Sequence, residues 1–296
     1  MIESGLSGRR SLLQLQFNHT NTGTAMKNPE LAIEANEHYH DRVAAKYDHI
    51  YTGKRWELWY EISWQPMKAH LPSDLRAPVI DLGCGTGKYG LRIAKSGFTV
   101  TLSDLSHGML EVSRQKTAAM GLDERVSFVK ADVMDLSALP REHFALAVAQ
   151  GDVISFATHP ARALKSISKI LRPKGVLVAS LDQTLAAIDH YCEKSDLAGL
   201  EKLVKGGEME WLARDEAERF PVHTFTPESL RAMFETAGFE VLDLFGKTVL
   251  PMKKLEPLLE DPQAAERILA IEKKLCRVPS AMGRASHLQI TAKRKA

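Results

Sequence analysis

The chain has 296 residues, 44% hydrophobic and 26% charged, with 39 basic against 37 acidic residues for a formal charge of +2. That is apolar material for one large domain with an attachment, or two modest ones, and the near-neutral balance argues against a dedicated nucleic-acid binder. No apolar run approaches the roughly 20 residues a membrane span needs. Cys84, Cys192 and Cys276 form neither a metal spacing nor a disulfide framework, which points to a reducing cytoplasm.

Residues 1–28 lack periodicity and read as a disordered extension. Residues 29–72 read as helical segments broken near Thr52-Gly53 and ended by Pro72. They also hold an unusual concentration of rings: Tyr39, Tyr47, Tyr51, Trp56, Trp59, Tyr60 and Trp64 include three of the four tryptophans and four of the six tyrosines. From Ala77 the pattern changes to strands alternating with helices. Strands are expected at 78–82, 98–103, 126–130, 144–149 and 176–181, with helices over 86–96, 106–120 and 160–171 between them. Near-continuous apolar strands in this alternation predict a parallel sheet covered on both faces. Residues 184–223 interrupt the rhythm as a helical cap insertion. Thr226-Pro227 then caps a helix ending at Gly238, a strand follows at 239–245, a cap-like helical stretch fills 251–285, and a last strand closes at 287–292. The last two strands are expected to pair antiparallel at one edge.

The informative junction is Val79-Ile80-Asp81-Leu82-Gly83-Cys84-Gly85-Thr86-Gly87-Lys88-Tyr89-Gly90. Glycines at 83, 85 and 87 let a ligand approach the backbone where a helix N-terminus offers free N–H groups. Gly85-x-Gly87-x-x-Gly90 matches the dinucleotide fingerprint, but Asp81, two residues before the first glycine, would repel a pyrophosphate. A carboxylate there suits a cationic ligand. Cys84 is a small filler within this turn.

This D-x-G-x-G-x-G pattern resembles that of the Rossmann-like (class I) methyltransferases that use S-adenosylmethionine, and residues 78–183 and 224–245 carry the likeness. The resemblance implies a three-layer α/β sheet of about seven strands with the last antiparallel, and S-adenosylmethionine as cofactor. It implies that Asp104, followed by Leu105, takes the ribose hydroxyls and that Met109 lies against the adenine. It implies further that Asp132 and the N–H of Val133 read the adenine edge, and that Gln150, before Gly151-Asp152, lies near the transferred methyl. Gln150-Gly151-Asp152 departs from the Asn-Pro-Pro-Tyr type of tetrad, which lowers amino groups of bases as acceptors. Lys174 replaces a glycine of the family's Leu-Arg-Pro-Gly-Gly turn.

Within residues 39–64, Tyr47 and Tyr51 share a helix face, and one of them is a candidate to touch the sulfonium. Tyr51, Trp56 and Tyr60 are candidates for the acceptor site, whereas Trp59 and Trp64 are expected to pack the helix on the sheet. His159, His190, Tyr191 and His223 are further acceptor-site candidates, with His38 as another conceivable base. His159 and Tyr47 are the candidates for a catalytic group, although methyl transfer from a sulfonium obliges no base unless the acceptor arrives protonated. No metal is expected. The resulting reading is methyl transfer to a small molecule, with no membrane partner. Competing readings are a methyltransferase acting on protein or RNA, a non-catalytic protein that binds S-adenosylmethionine and, last, an NAD-dependent oxidoreductase.

Overall fold

The computed structural model describes residues 28–211 and 215–296. Residues 1–27, where the extension was expected, lie outside them. Asn28 caps α1 (Pro29–Val43), and the chain continues through α2 (Tyr47–Ile50) and α3 (Lys54–Lys68). The alternating region then runs β1 (Val79–Leu82), α4 (Lys88–Lys95), β2 (Val100–Asp104), α5 (His107–Ala119), β3 (Val126–Lys130) and β4 (Phe144–Ala149). It goes on through α6 (Val153–Phe156), α7 (Pro160–Ile170) and β5 (Leu171–Asp182). The insertion holds α8 (Thr184–Glu193), α9 (Leu197–Gly206), β6 (Glu208–Glu210) and β7 (Pro221–His223). The chain closes with α10 (Pro227–Thr236), β8 (Phe239–Lys247), α11 (Met252–Leu255), α12 (Pro262–Leu275), α13 (Pro279–Met282) and β9 (His287–Arg294).

Seven strands form one sheet in the order β3-β2-β1-β4-β5-β9-β8. The pairs among β1 to β5 are parallel, and β9 is antiparallel to both β5 and β8. The expected antiparallel pair is therefore present, with β9 inserted inward and β8 at the edge. One face buries Ile80, Leu82, Ala147 and Leu177 against Leu164 and Ile167 of α7 and Leu230 and Phe234 of α10. The other buries Val79, Val100, Leu146 and Val178 against α3, α4 and α5, with Trp64 and Met67 wedged at the α3 contact. Two helical layers on one sheet make the three-layer Rossmann-like methyltransferase architecture. No helix among the described residues is long and apolar enough to cross a membrane.

Two stretches differ from the sequence reading. The 184–223 insertion is not purely helical, because β6 and β7 pair as a two-stranded ribbon. Residues 251–285 pack on the flank instead of capping the sheet ends: Met252, Leu259, Ile268 and Cys276 join Leu58 and Ile62 of α3 and Phe245 of β8 in a side cluster. At the Leu171–Gly175 turn, Lys174 adopts φ +64°, the conformation a glycine takes without steric cost.

Candidate active site

Where β1, β2 and β4 end, a cavity of about 350 Å³ opens beneath α1, α2 and α3. Carboxyl ends of parallel strands are where open α/β sheets place ligands. The glycine turn forms its floor. Gly83 (φ +57°) has no room for a side chain because a Cβ would strike Val153, whereas a Cβ on Gly85 (φ +53°) would meet nothing within 4 Å. Gly85 thus opens onto free space that a ligand can fill.

The roof is strapped down by acids. Asp48 of α2 accepts from the Thr86 hydroxyl at 2.6 Å and from Lys116 of α5 at 2.9 Å. Asp41 of α1 accepts from the N–H of Gly108 at 2.8 Å and from the Ser106 hydroxyl. Arg42 forms a two-pronged pair with Glu218, joining α1 to the insertion.

The three acids of the sequence reading occupy different depths. Asp81, 1% exposed, does not line the cavity. Its Oδ2 accepts the N–H of Gly90 at 2.8 Å, behind the turn. Burial pushes its pKa to about 7, the charge of Asp104 pushes the same way, and the Gly90 hydrogen bond opposes both. Asp104 does line the cavity; it accepts from the N–H groups of Gly85 and Ser106, each at 2.8 Å. Burial raises its pKa against those bonds and the neighbouring His40. Asp132 lines the cavity too, accepting from Met134 N–H at 2.8 Å, with its pKa raised by burial.

Gly83, Cys84, Gly85, Leu105, Met109, Val133, Gln150 and Tyr47 all face the same cavity; Gly87 lies outside it. Both amide atoms of Gln150 are buried without a hydrogen-bond partner among the described residues. A polar group so placed calls for a ligand or water. Acceptor oxygens at Asp104 and Asp132, an apolar slot between Met109 and Val133, and the open space at Gly85 fit a nucleoside that carries a polar tail.

Residues 79–175 match the family described as a methyltransferase domain. The chain carries a methyltransferase domain, and S-adenosylmethionine is its cofactor. It is 24% identical over 259 residues to the tRNA 5-carboxymethoxyuridine methyltransferase of Escherichia coli, spanning 86% of this chain and 95% of that protein. It is 28% identical over 265 residues to a ubiquinone/menaquinone biosynthesis C-methyltransferase of Vibrio vulnificus, spanning 84% and 95%. The solved 1,6-didemethyltoxoflavin-N1-methyltransferase of Burkholderia thailandensis shares the fold, with a TM-score of 0.61 at 18% identity, over 93% of this chain and 94% of that one.

The methyltransferase's second wall is aromatic. Tyr47 and Tyr51 lie 4.8 Å apart between ring centroids, Tyr51 and Trp56 4.7 Å, Trp56 and Trp59 5.9 Å, and Trp59 and Tyr60 5.3 Å. Trp59 packs against the sheet core, as expected, and also lines the cavity, while Trp64 is the ring buried in the core. Burial pushes the Tyr60 phenol to about 12 and Tyr47 well above its ordinary value. Tyr47 therefore stays protonated at neutral pH and supplies wall, not a base.

The remaining candidates are placed elsewhere. His159 is the residue before α7 and does not line the cavity. His190 and Tyr191 sit on α8, where Tyr191 packs with Ala187 and Leu203, and His223 lies in β7, 3.7 Å from Glu208. His38 is 3.9 Å from Glu218 on the outer side of α1. None of these four histidines, nor Tyr191, lines the cavity; His190, Tyr191 and His223 pack within the insertion.

Two other histidines do face it. His40 donates from Nδ1 to the carbonyl of Asn36 at 2.9 Å, and burial lowers its pKa. His287 belongs to a polar cluster at the far end. Its Nε2 is 3.3 Å from Asp152 Oδ2 and 3.8 Å from Asp182 Oδ1, and its Nδ1 is 2.9 Å from the Ser286 hydroxyl. Sheet register builds this group, since His287 lies opposite Asp182 on β5 and opposite Lys247 on β8. Lys247 is fully buried, its Nζ 2.9 Å from the centroid of the Trp59 ring. Burial drives its pKa well down, that of His287 down, and that of Asp182 well up. Four residues from 152 to 287 share no local motif, so only the register of β5, β8 and β9 reveals them.

Proposed function

We propose that the chain transfers a methyl group from S-adenosylmethionine to a small-molecule acceptor held beneath the helical roof. The observation that carries this reading is the roof over a cavity of about 350 Å³, tied to the core through Asp48 and Asp41 and to the insertion through Arg42. A cavity roofed in this way suits a metabolite-sized acceptor, whereas a macromolecular acceptor needs an open groove. The net charge of +2 lends no support to a nucleic-acid surface. Among the relatives, one is named for a tRNA uridine and another for quinone biosynthesis, so the family admits both kinds of acceptor.

In this reading Asp104 accepts from the ribose hydroxyls, Met109 and Val133 hold the adenine between them, and Asp132 accepts from the exocyclic amino group. Gly83, Gly85 and Gln150 border the methionine end, and the negative charge of Asp81 behind the turn favours a cationic ligand. When bound, the cofactor supplies a methyl on a sulfonium, an electrophile whose leaving group is a neutral thioether. The chain's own work is to hold the acceptor in line about 3 Å from that methyl and to exclude water. The aromatic wall of Tyr47, Tyr51, Trp56, Trp59 and Tyr60 performs the second task. No metal is required for this chemistry.

The test is transfer of label from methyl-tritiated S-adenosylmethionine into three pools offered separately: a desalted metabolite extract, purified tRNA and total protein. Label in the metabolite pool is expected. Label confined to tRNA or protein overturns the small-molecule reading, and binding of S-adenosylhomocysteine with no transfer to any pool would favour a non-catalytic binder.

A further inference from the structure

Asp152 is held in a conformation that needs a reason. It has a left-handed backbone (φ 65°, ψ 24°) directly after Gly151, and the N–H groups of both residues point at the Ser180 hydroxyl at 3.0 and 3.3 Å. Non-glycine residues in this region persist where the surroundings over-determine them, often at sites of function. The result sets the side chain on the cavity wall, with Oδ2 against His287 and Oδ1 buried without a hydrogen-bond partner among the described residues. An unpartnered buried carboxylate oxygen is costly unless a ligand meets it.

The charges around it are unbalanced. The groups facing one another here are Asp152, Asp182, His287 and Lys247; Ser155, Ser180 and Ser286 add only neutral partners. Burial works against charge on both Lys247 and Asp182, whose charges cancel as an ion pair and vanish as a neutral pair; with His287 held neutral by burial, the carboxylate of Asp152 has no positive charge of its own to match it. Beside it stands an aromatic wall, with Trp59 5.9 Å from the His287 ring and Trp56 and Tyr51 next in line. Ring faces attract cations most strongly where water is excluded.

A divalent metal is the rival occupant, since Asp152, Asp182 and His287 each bring a ligand-type atom within 4.8 Å of the others. Three protein groups and walls of carbon are a poor match to the six or more oxygens that hard cations take, and zinc, which three such ligands suffice to hold, would compete with the amine of Lys247 buried beside the two acids. An organic cation needs only one carboxylate and a ring face.

We propose that the acceptor is an amine that enters as its ammonium ion, paired with Asp152 Oδ1 and bounded by Trp59 and Trp56. Asp152 then takes one proton from the ammonium, leaving a neutral amine and a carboxylic acid. The freed nitrogen lone pair forms the new N–C bond as the methyl's bond to sulfur breaks, its electron pair remaining on sulfur as a thioether. His287, 3.3 Å from Oδ2, positions the carboxylate. The proposal rests on the small-molecule reading above.

The test uses the full chain and the labelled metabolite pool. The labelled product is expected to bind a cation exchanger at neutral pH and to keep its label through mild base, which releases methanol from methyl esters. Asp152→Asn, isosteric and at ease in a left-handed backbone, should lower formation of that product at least 100-fold while the thermal shift with S-adenosylhomocysteine stays. The variant's remaining rate should climb about tenfold per pH unit between pH 7 and 9, as the amine deprotonates in solution, and wild type should not follow. No labelled cationic product, or wild-type turnover by Asp152→Asn, overturns the amine. So does loss of activity in EDTA that magnesium or zinc restores, which makes the cluster a metal site. A labelled neutral or acidic metabolite sinks the amine alone, whereas label confined to tRNA or protein sinks the small-molecule reading with it.

Discussion

Replacing Asp81 by Asn measures what the fold gives up to keep a carboxylate beneath the glycine turn. Asp81 is 1% exposed and ionises at about 7 in the folded chain against an ordinary 3.8. A folded-state pKa raised above the unfolded one favours folding at low pH, and that advantage is lost as pH rises from about 4 through about 7. At about 1.4 kcal/mol per pH unit, the charged carboxyl costs the fold about 2 kcal/mol at pH 5 and about 4 kcal/mol at pH 8. The Asn amide oxygen keeps the Gly90 hydrogen bond at 2.8 Å, while its buried NH₂ group costs about 1–2 kcal/mol at either pH. Urea unfolding of wild type and variant at pH 5 and pH 8 cancels every other titration. The advantage of Asp81→Asn over wild type should grow by about 2–3 kcal/mol between the two pH values. Calorimetry at pH 8 should show weaker S-adenosylmethionine binding, because a negative charge behind the turn is gone. A stability difference that does not change with pH would refute the buried-charge argument, and unchanged affinity would assign Asp81 to loop architecture alone.

Asp104→Ala should lose about 1–3 kcal/mol of S-adenosylhomocysteine affinity by calorimetry, because ligand hydroxyls lose a buried acceptor; undiminished binding would put the ribose elsewhere. Gly83→Ala should lower the melting temperature sharply, since a Cβ there strikes Val153, whereas Gly85→Ala should cost only about 1–2 kcal/mol of backbone strain. The second variant should nonetheless lose most of its stabilisation by S-adenosylhomocysteine, and full retention would mean that the space at Gly85 is not the cofactor's. Trp56→Ala should damage acceptor turnover more than cofactor affinity. Trp59→Ala should also destabilise the fold by roughly 2–4 kcal/mol, as it strips the ring from buried Lys247; equal melting curves would contradict that cover.

The half of the cavity lined by strand ends was legible because it is local. Asp81, the glycine turn, Asp104 and Asp132 each sit at the carboxyl end of a strand whose apolar run is unmistakable, and a parallel alternating sheet gathers such ends along one edge. Asp81 shows the limit of that logic: its strand end points inward, to the backbone of Gly90. The aromatic stripe shows another. Trp56, Tyr60 and Trp64 are spaced by four, so the stripe turns about 40° per step around the helix. By Trp64 it has rotated into the core against Met67, while Trp59, three residues after Trp56, stays on the cavity side. Spacing fixes neighbours along a helix, but which segment of the stripe meets the cavity depends on how α3 lies across the sheet.

The cluster at the far end of the cavity was illegible for a different reason. A search at strand carboxyl ends passes over His287, which begins its strand. In a parallel sheet that position would face the opposite edge. β9 is antiparallel to both neighbours, so its first residue arrives where β5 and β8 finish, opposite Asp182 and Lys247. His159, close to β4 in sequence, is absent from the cavity. Reversing one strand therefore does more than close the sheet edge. It delivers a basic side chain from the start of the last strand to an edge otherwise supplied by the ends of strands, and it does so beside two carboxyls and the buried Lys247. Any catalytic search in a sheet of this topology should treat the amino end of the antiparallel strand on the same footing as the carboxyl ends of the parallel ones.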